Sequence, residues 1–199
     1  QAFGHIDLDP FNMGLDLISI NAHKIYGPKG IGALLIKPNV KVMPLHWGGG
    51  QEQGIRPGTL PVPLIVGFSK AAEIAMRDIN SRQERIKLLR DQLLNGLVER
   101  IPKLIINGSL EHRLPQNLNI TIPDIAGSKL HKSLRPLISC SSGSACSRGE
   151  PSHVLKAIGR TAAEAKASIR LSLGKNTNEA IIKDAIEIIE HAFIQLNRD

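Results

Sequence analysis

The feature that most constrains how this chain can fold is a turn that no regular element can absorb. Gly27-Pro28-Lys29-Gly30 stands between two apolar runs, Leu15 to Ile20 and Ile31 to Lys37. Proline fixes φ and glycine takes backbone angles that other residues avoid, so the chain turns tightly there. Each run is short, rich in Ile and Leu, and bounded by turn residues, which predicts two buried strands. Lys24, within Asn21-Ala22-His23-Lys24-Ile25-Tyr26, therefore stands where a strand has just ended, on a stiff support.

A lysine so placed, flanked by His and an amide residue, suits Schiff-base formation with a carbonyl cofactor while its neighbours hold a phosphate. A solvated surface lysine is the plain alternative, and the commoner one for a lysine taken singly. The whole string NAHKIYGPKGIGALLIK changes that balance. It resembles the cofactor-lysine segment of class V, fold-type I pyridoxal-phosphate enzymes, and is most similar to that of the cysteine desulfurases. The resemblance implies pyridoxal 5'-phosphate as cofactor, Lys24 as its anchor, and Asn21 and His23 as cofactor-binding residues. The family has Ser or Thr where this chain has Asn21. A family glutamine that bonds the cofactor's phenolic oxygen falls on Gln1, for which a disordered terminal residue is the alternative reading.

The chain has 199 residues, 42% of them hydrophobic and 3% aromatic, which suffices for one sizeable core or two small ones. No run of about 18 apolar residues occurs, and no signal peptide is recognisable, so a soluble protein is expected. Lys and Arg outnumber Asp and Glu by 25 to 18, yet the basic residues are scattered rather than clustered with aromatics. Solvated helix faces explain them better than nucleic acid does. Two cysteines, Cys140 and Cys146, are too few and too close for a disulfide framework and fit a reducing compartment. With His153 alone nearby they do not make a metal site, and none is assigned.

After Pro38 and Pro44 comes His46-Trp47-Gly48-Gly49-Gly50-Gln51-Glu52-Gln53-Gly54-Ile55-Arg56-Pro57-Gly58-Thr59, too glycine-rich for a helix or regular strand. A loop of this length without structure of its own is more often functional than a mere connection. In the desulfurases the matching segment crosses to the other subunit of a homodimer, and its threonine, here Thr59, binds the phosphate of the partner's cofactor. From Pro61 the apolar residues turn to helical spacing as far as Ile101, predicting one very long helix or two consecutive ones. Strands are expected at Lys103 to Ile106, Asn117 to Ile122, Leu137 to Ser141 and Ser168 to Ser172. Helices are expected at Gly127 to Leu134, His153 to Ile158 and Ala162 to Ala167, with a last one capped by Thr177 and running to about Leu196.

Two further residues carry chemistry. Cys146 lies in Ser-Ser-Gly-Ser-Ala-Cys-Ser-Arg-Gly-Glu, with no large apolar neighbour to bury it and with Arg148 to favour the thiolate. A cysteine in a loop is more often incidental than catalytic, but SSGSACSRGEPSHVLKAIG is similar to the desulfurase loop whose thiol takes sulfur from the substrate. Cys140 ends an apolar run and packs as a small hydrophobe. Arg170, inside the alternating strand Ser-Ile-Arg-Leu-Ser, can simply face solvent or can clamp a carboxylate through two parallel hydrogen bonds. The desulfurase motif has an arginine in the second role at this place.

The resemblance implies an α/β chain corresponding to the C-terminal part of a fold-type I pyridoxal-phosphate transferase, N-terminally truncated. Residues 1–80 would form the end of the large-domain sheet, and 81–199 a small α+β domain, entered through the long helix and carrying the sulfur-accepting loop. It implies conversion of L-cysteine to L-alanine with a persulfide on Cys146, which passes to an iron–sulfur scaffold or sulfur-carrier protein. A homodimer in the cytoplasm or an organellar matrix, binding neither nucleic acid nor membrane, is expected. Two rivals share parts of the pattern: a class V aminotransferase or selenocysteine lyase, which needs no Cys146, and a non-catalytic dimerisation or scaffold-binding fragment. The family's phosphate-binding turn, its ring-stacking histidine and its ring-nitrogen aspartate would precede Gln1, so the chain alone is expected to bind cofactor weakly and to turn over slowly.

Overall fold

The computed structural model describes residues 1–141 and 150–198. The chain is mixed α/β and divides into two compact units, Gln1–Ser81 and Arg82–Asp199.

In the first unit the two apolar runs form an antiparallel pair, β1 (Leu17–Asn21) and β2 (Gly32–Ile36), in register from Leu17 opposite Ile36 to Asn21 opposite Gly32. A single 3-10 turn, Ala22–Ile25, follows β1 and ends at Tyr26 in the left-handed region (φ 66°). Helix α1 (Val62–Arg77) has proline in its first turn, where a missing N–H costs nothing. It lays Phe68 and Ala75 on Ala22 and Ile25, and Phe3 meets Phe68 edge to face with ring centres 6.4 Å apart. The turn bearing Lys24 is thus packed onto a helix as well as tied to a strand.

The long helical pattern resolves into two helices. Asp78 leaves the helical angles (φ −121°, ψ 33°) and α2 (Ile79–Arg100) begins immediately after it. Ser81 Oγ donates to Asp78 O (3.2 Å), the kind of local side-chain bond with which Ser, Asp and Asn compete against helix continuation. The glycine-rich segment contains one short turn, Gln51–Gly54, with Glu52 and Gln53 at φ 51° and 57°. These angles lie outside the helical region, and the segment is otherwise irregular.

The second unit is a three-stranded antiparallel sheet covered by helices, in the order β3 (Ile105–Ile106), β4 (Asn117–Thr121), β5 (Ser168–Ser172). Its helices are α3 (Gly127–Leu134), α4 (His153–Ala157), α5 (Ala162–Lys166) and α6 (Glu179–Leu196). Side chains alternate across a strand, so Leu118, Ile120, Ile169 and Leu171 share one face. They join Leu93 and Leu97 of α2, Leu130 of α3 and Ile189 of α6 in one core.

Four expectations are corrected. β1 and β2 are not buried strands: among the described residues they pair only with each other, and Leu17 and Leu34 stay 46% and 47% exposed. Leu137 to Ser141 makes no strand, because the amides of Leu137 and Ile138 both bond back to Leu134 O; only Ser141 pairs, opposite Arg170. The strand expected from Lys103 starts at Ile105, since Lys103 takes φ 61°. The cap of α6 is Asn178, whose Oδ1 accepts from Ile181 N (2.9 Å), because the Thr177 hydroxyl is engaged by Gly174 N.

The outer face of the sheet carries a polar chain. Asn107, 2% exposed, donates through Nδ2 to Asn119 Oδ1 (2.7 Å) and Thr121 Oγ1 (2.9 Å). Thr121 and Ser168 hydroxyls lie 2.7 Å apart, and Ser168 Oγ donates to Glu164 O (2.7 Å). Removing one member leaves the others buried and unpaired, which is the expensive case for a polar group. Asn107→Leu should therefore lower stability by roughly 2–4 kcal/mol in denaturant unfolding. A change below about 0.5 kcal/mol would show that the chain of hydrogen bonds is not formed.

Candidate active site

Lys24 closes β1 through the 3-10 turn, and its side chain lines a cavity of about 420 Å³ within the first unit. Gln1 and Asn21 line the same cavity, with Ser19 and Ile20 of β1, Leu35 of β2 and Met76 of α1 forming other parts of its wall. Three of the residues expected around the cofactor are thereby brought together. Lys24 is exposed, and among the described residues its ammonium has neither a hydrogen-bond nor an ion-pair partner.

Asn21 Oδ1 is enclosed and has no hydrogen-bond partner. Buried polar atoms are nearly always paired, so this unpaired oxygen in a residue that lines the cavity is an exception. A half-turn of the amide exchanges its oxygen for its NH₂, which donates to an anion. The volume lies within the usual range for small-molecule sites, about 300–1,000 Å³. A free amine, a switchable amide and a cavity of this size fit an aldehyde that bears a phosphate.

Two expected cofactor residues stand elsewhere. His23 is exposed on the turn and is not part of that cavity wall. Thr59 is exposed too and lines a second, wider hollow of about 1170 Å³ with His46 and Arg56. That hollow lies along Leu34 and Ile36, whose side chains leave β2 on the face opposite Leu35.

Arg170 belongs to the second unit. It is exposed on β5 opposite Asn119, and its guanidinium has no partner among the described residues. Its backbone donates to Ser141 O (2.6 Å) and accepts from Ser141 N (3.0 Å). His131 Nε2 donates to Cys140 O (3.1 Å), so the residues leading to position 142 are held at two successive points. Cys146, with the rest of 142–149, lies outside the described residues. Cys140 is half-buried, and burial pushes its thiol above the ordinary cysteine range. Among the described residues no three His, Cys, Asp or Glu side chains come together as metal ligands would, and no helix is long and apolar enough to cross a membrane.

The sequence reading missed two residues. Gly4 (φ 71°) packs so closely that a Cβ there would come within 2.7 Å of Ile25 Cγ2, and His5 bonds to the backbone of Lys24 itself (2.9 Å). Neither sits in a motif; only the folded turn brings them to Lys24.

Comparison with known proteins agrees with this architecture. The aminotransferase class-V family matches residues 1–184. The chain is 43% identical over 194 residues to a probable mitochondrial cysteine desulfurase of Dictyostelium discoideum, and 45% identical over 193 residues to cysteine desulfurase IscS of Rickettsia typhi. These matches cover 96% and 95% of this chain, but 43% and 47% of the relatives. A solved NifS-like protein superimposes with a TM-score of 0.89 at 35% identity, over 98% of this chain and 51% of that one. Another, from Rickettsia africae, gives 0.84 at 35% identity, over 96% and 51%. The chain spans about half the length of the relatives it matches. Its fold is that of part of a fold-type I pyridoxal-phosphate enzyme. It belongs to the aminotransferase class-V family.

Proposed function

We propose that the chain carries the cofactor lysine, the substrate-binding arginine and the sulfur-accepting thiol of a cysteine desulfurase. The observation that carries this reading is the cavity at the end of β1 whose wall includes Lys24, Asn21 and Gln1 together. Its two named relatives, both cysteine desulfurases, support the choice within the family.

Pyridoxal 5'-phosphate, when bound, supplies an electron sink for the pair released at the substrate Cα. Lys24 would hold it and Asn21 would donate its NH₂ to the phosphate, with Gln1 on the same wall. Thr59, which lies off this wall, would bind the phosphate of a partner's cofactor in a homodimer, and His23, exposed on the same turn as Lys24, would bind the cofactor from that turn. Arg170 would grip the L-cysteine carboxylate through two parallel hydrogen bonds, which an exposed guanidinium without a protein partner is free to make. Lys24 Nζ would move the Cα proton. The Cys146 thiolate would attack the substrate sulfur, so that an S–S bond forms as the C–S bond breaks, and protons replace the sulfur to yield L-alanine. Cys146 is left as a persulfide for a scaffold or carrier protein. The relatives come from both bacteria and mitochondria, so the cytoplasm and the organellar matrix both suit this chemistry.

Adding pyridoxal 5'-phosphate to the protein should produce a visible absorption band that is absent in Lys24→Ala. A band of equal strength in both would refute the assignment of Lys24.

A further inference from the structure

We infer that His5 is a positioning residue for Lys24. The 3-10 turn leaves the Lys24 carbonyl at its open end: the amides of Tyr26 and Gly27 both turn back to Ala22 O, and the following residues lead off toward β2. Helical turns leave their last carbonyls without an internal partner, and something outside the turn must satisfy them. His5 does so, with Nε2–H donating to Lys24 O at 2.9 Å across 19 residues of sequence.

The contact joins two walls of one cavity. Residues 1–6 form a compact turn in which His5 N and Ile6 N both bond to Ala2 O. Gly4 presses that turn against Ile25, and Phe3 anchors it on Phe68. Gln1 projects from one end of this turn and His5 from the other. Holding the Lys24 carbonyl restrains the peptide plane that follows Lys24 and so the backbone from which its side chain leaves. His5 thus steadies the base of the lysine on the cavity that Gln1 also lines, without itself lining that cavity. The donor has to be the nitrogen farther from the backbone. Glutamine carries an amide NH₂ at about that reach, and asparagine falls short of it by one methylene.

This inference rests on Lys24 being the reactive amine, and its test separates the two ideas. The full chain is treated with pyridoxal 5'-phosphate and cyanoborohydride: each amine condenses with the aldehyde, losing water, and the hydride reduces the C=N bond. Peptide mass spectrometry then gives the labelling of Lys24 relative to Lys70 and Lys183, which are exposed as Lys24 is. In the unaltered chain Lys24 should be labelled preferentially. His5→Gln should keep that preference, and His5→Asn should reduce it about fivefold to tenfold, the effect of one lost hydrogen bond. Thermal melting of the two variants should agree, since a loss of fold would lower both alike. Equal Lys24 preference in His5→Asn and the unaltered chain, or an equal loss in both variants, overturns the role of His5. No preference for Lys24 in the unaltered chain overturns the function proposed above and this inference with it.

Discussion

Gly127→Ala should unfold the second unit under conditions where the unaltered chain is stable. Gly127 opens α3, and a Cβ there would lie 2.2 Å from Lys166 O, 3.2 Å from Lys166 C and 3.3 Å from Ser168 O. All three are backbone atoms where α5 passes into β5, so no rotamer change relieves the overlap. Either α3 lifts off the core, exposing Leu130 and Leu134, or the start of β5 moves and breaks its pairing with β4. The expected loss is roughly 3–5 kcal/mol, at the upper end for single substitutions, read from denaturant midpoints. Gly96→Ala is the matched control. Its Cβ would come 2.4 Å from Ile186 Cδ1, the tip of a movable side chain, and alanine gains about 1 kcal/mol in helix propensity. A net change within about 1 kcal/mol is expected there. Similar midpoints for the two variants would show that α3 does not approach β5 so closely.

Cys146→Ser should abolish sulfur transfer while leaving the Lys24-dependent absorption band intact. Serine is nearly isosteric with cysteine, but its hydroxyl is not ionised near neutral pH and is a poor nucleophile toward sulfur, so the C–S bond has no acceptor for its sulfur. Alanine release in the presence of L-cysteine should fall at least about a hundredfold, the usual scale for losing a covalent nucleophile. Persistent alanine release at the original rate would favour the lyase or aminotransferase chemistry of the same family, which needs no such thiol. Cys140 is expected to be the poorer nucleophile of the two, because it is half-buried and burial pushes its thiol above the ordinary cysteine range.

Much of this was legible in the chain itself where local chemistry and tertiary packing agree. The Gly-Pro-Lys-Gly turn imposes a reversal whatever surrounds it, and β1, β2 and the place of Lys24 follow from it. The alternation in β4 and β5 and the apolar face of α6 are equally local signals. The break at Asp78 was not legible, because no glycine or proline marks it and the apolar spacing runs on past it. Nor was the fate of Leu137 to Ser141, whose apolar residues look like a strand while their amides are taken by the end of α3. The candidate site shows the same division. The placement of Asn21 and Lys24 at the end of β1 was readable from their string, whereas His5 reaches Lys24 only through a long-range contact that leaves no periodic trace. The buried Asn107 chain was hidden for the same reason, since its members come from β4, β5 and the segment after β3.

The measurement that bears most directly on the central claim is the location of sulfur after one turnover. The protein showing the Lys24-dependent band is given one equivalent of L-cysteine, its thiols are capped, and its peptides are mapped by mass spectrometry. A single added sulfur on Cys146, in amount equal to the alanine formed, is the predicted result. Alanine formed with Cys146 unmodified, or the added sulfur found on Cys140, would contradict it.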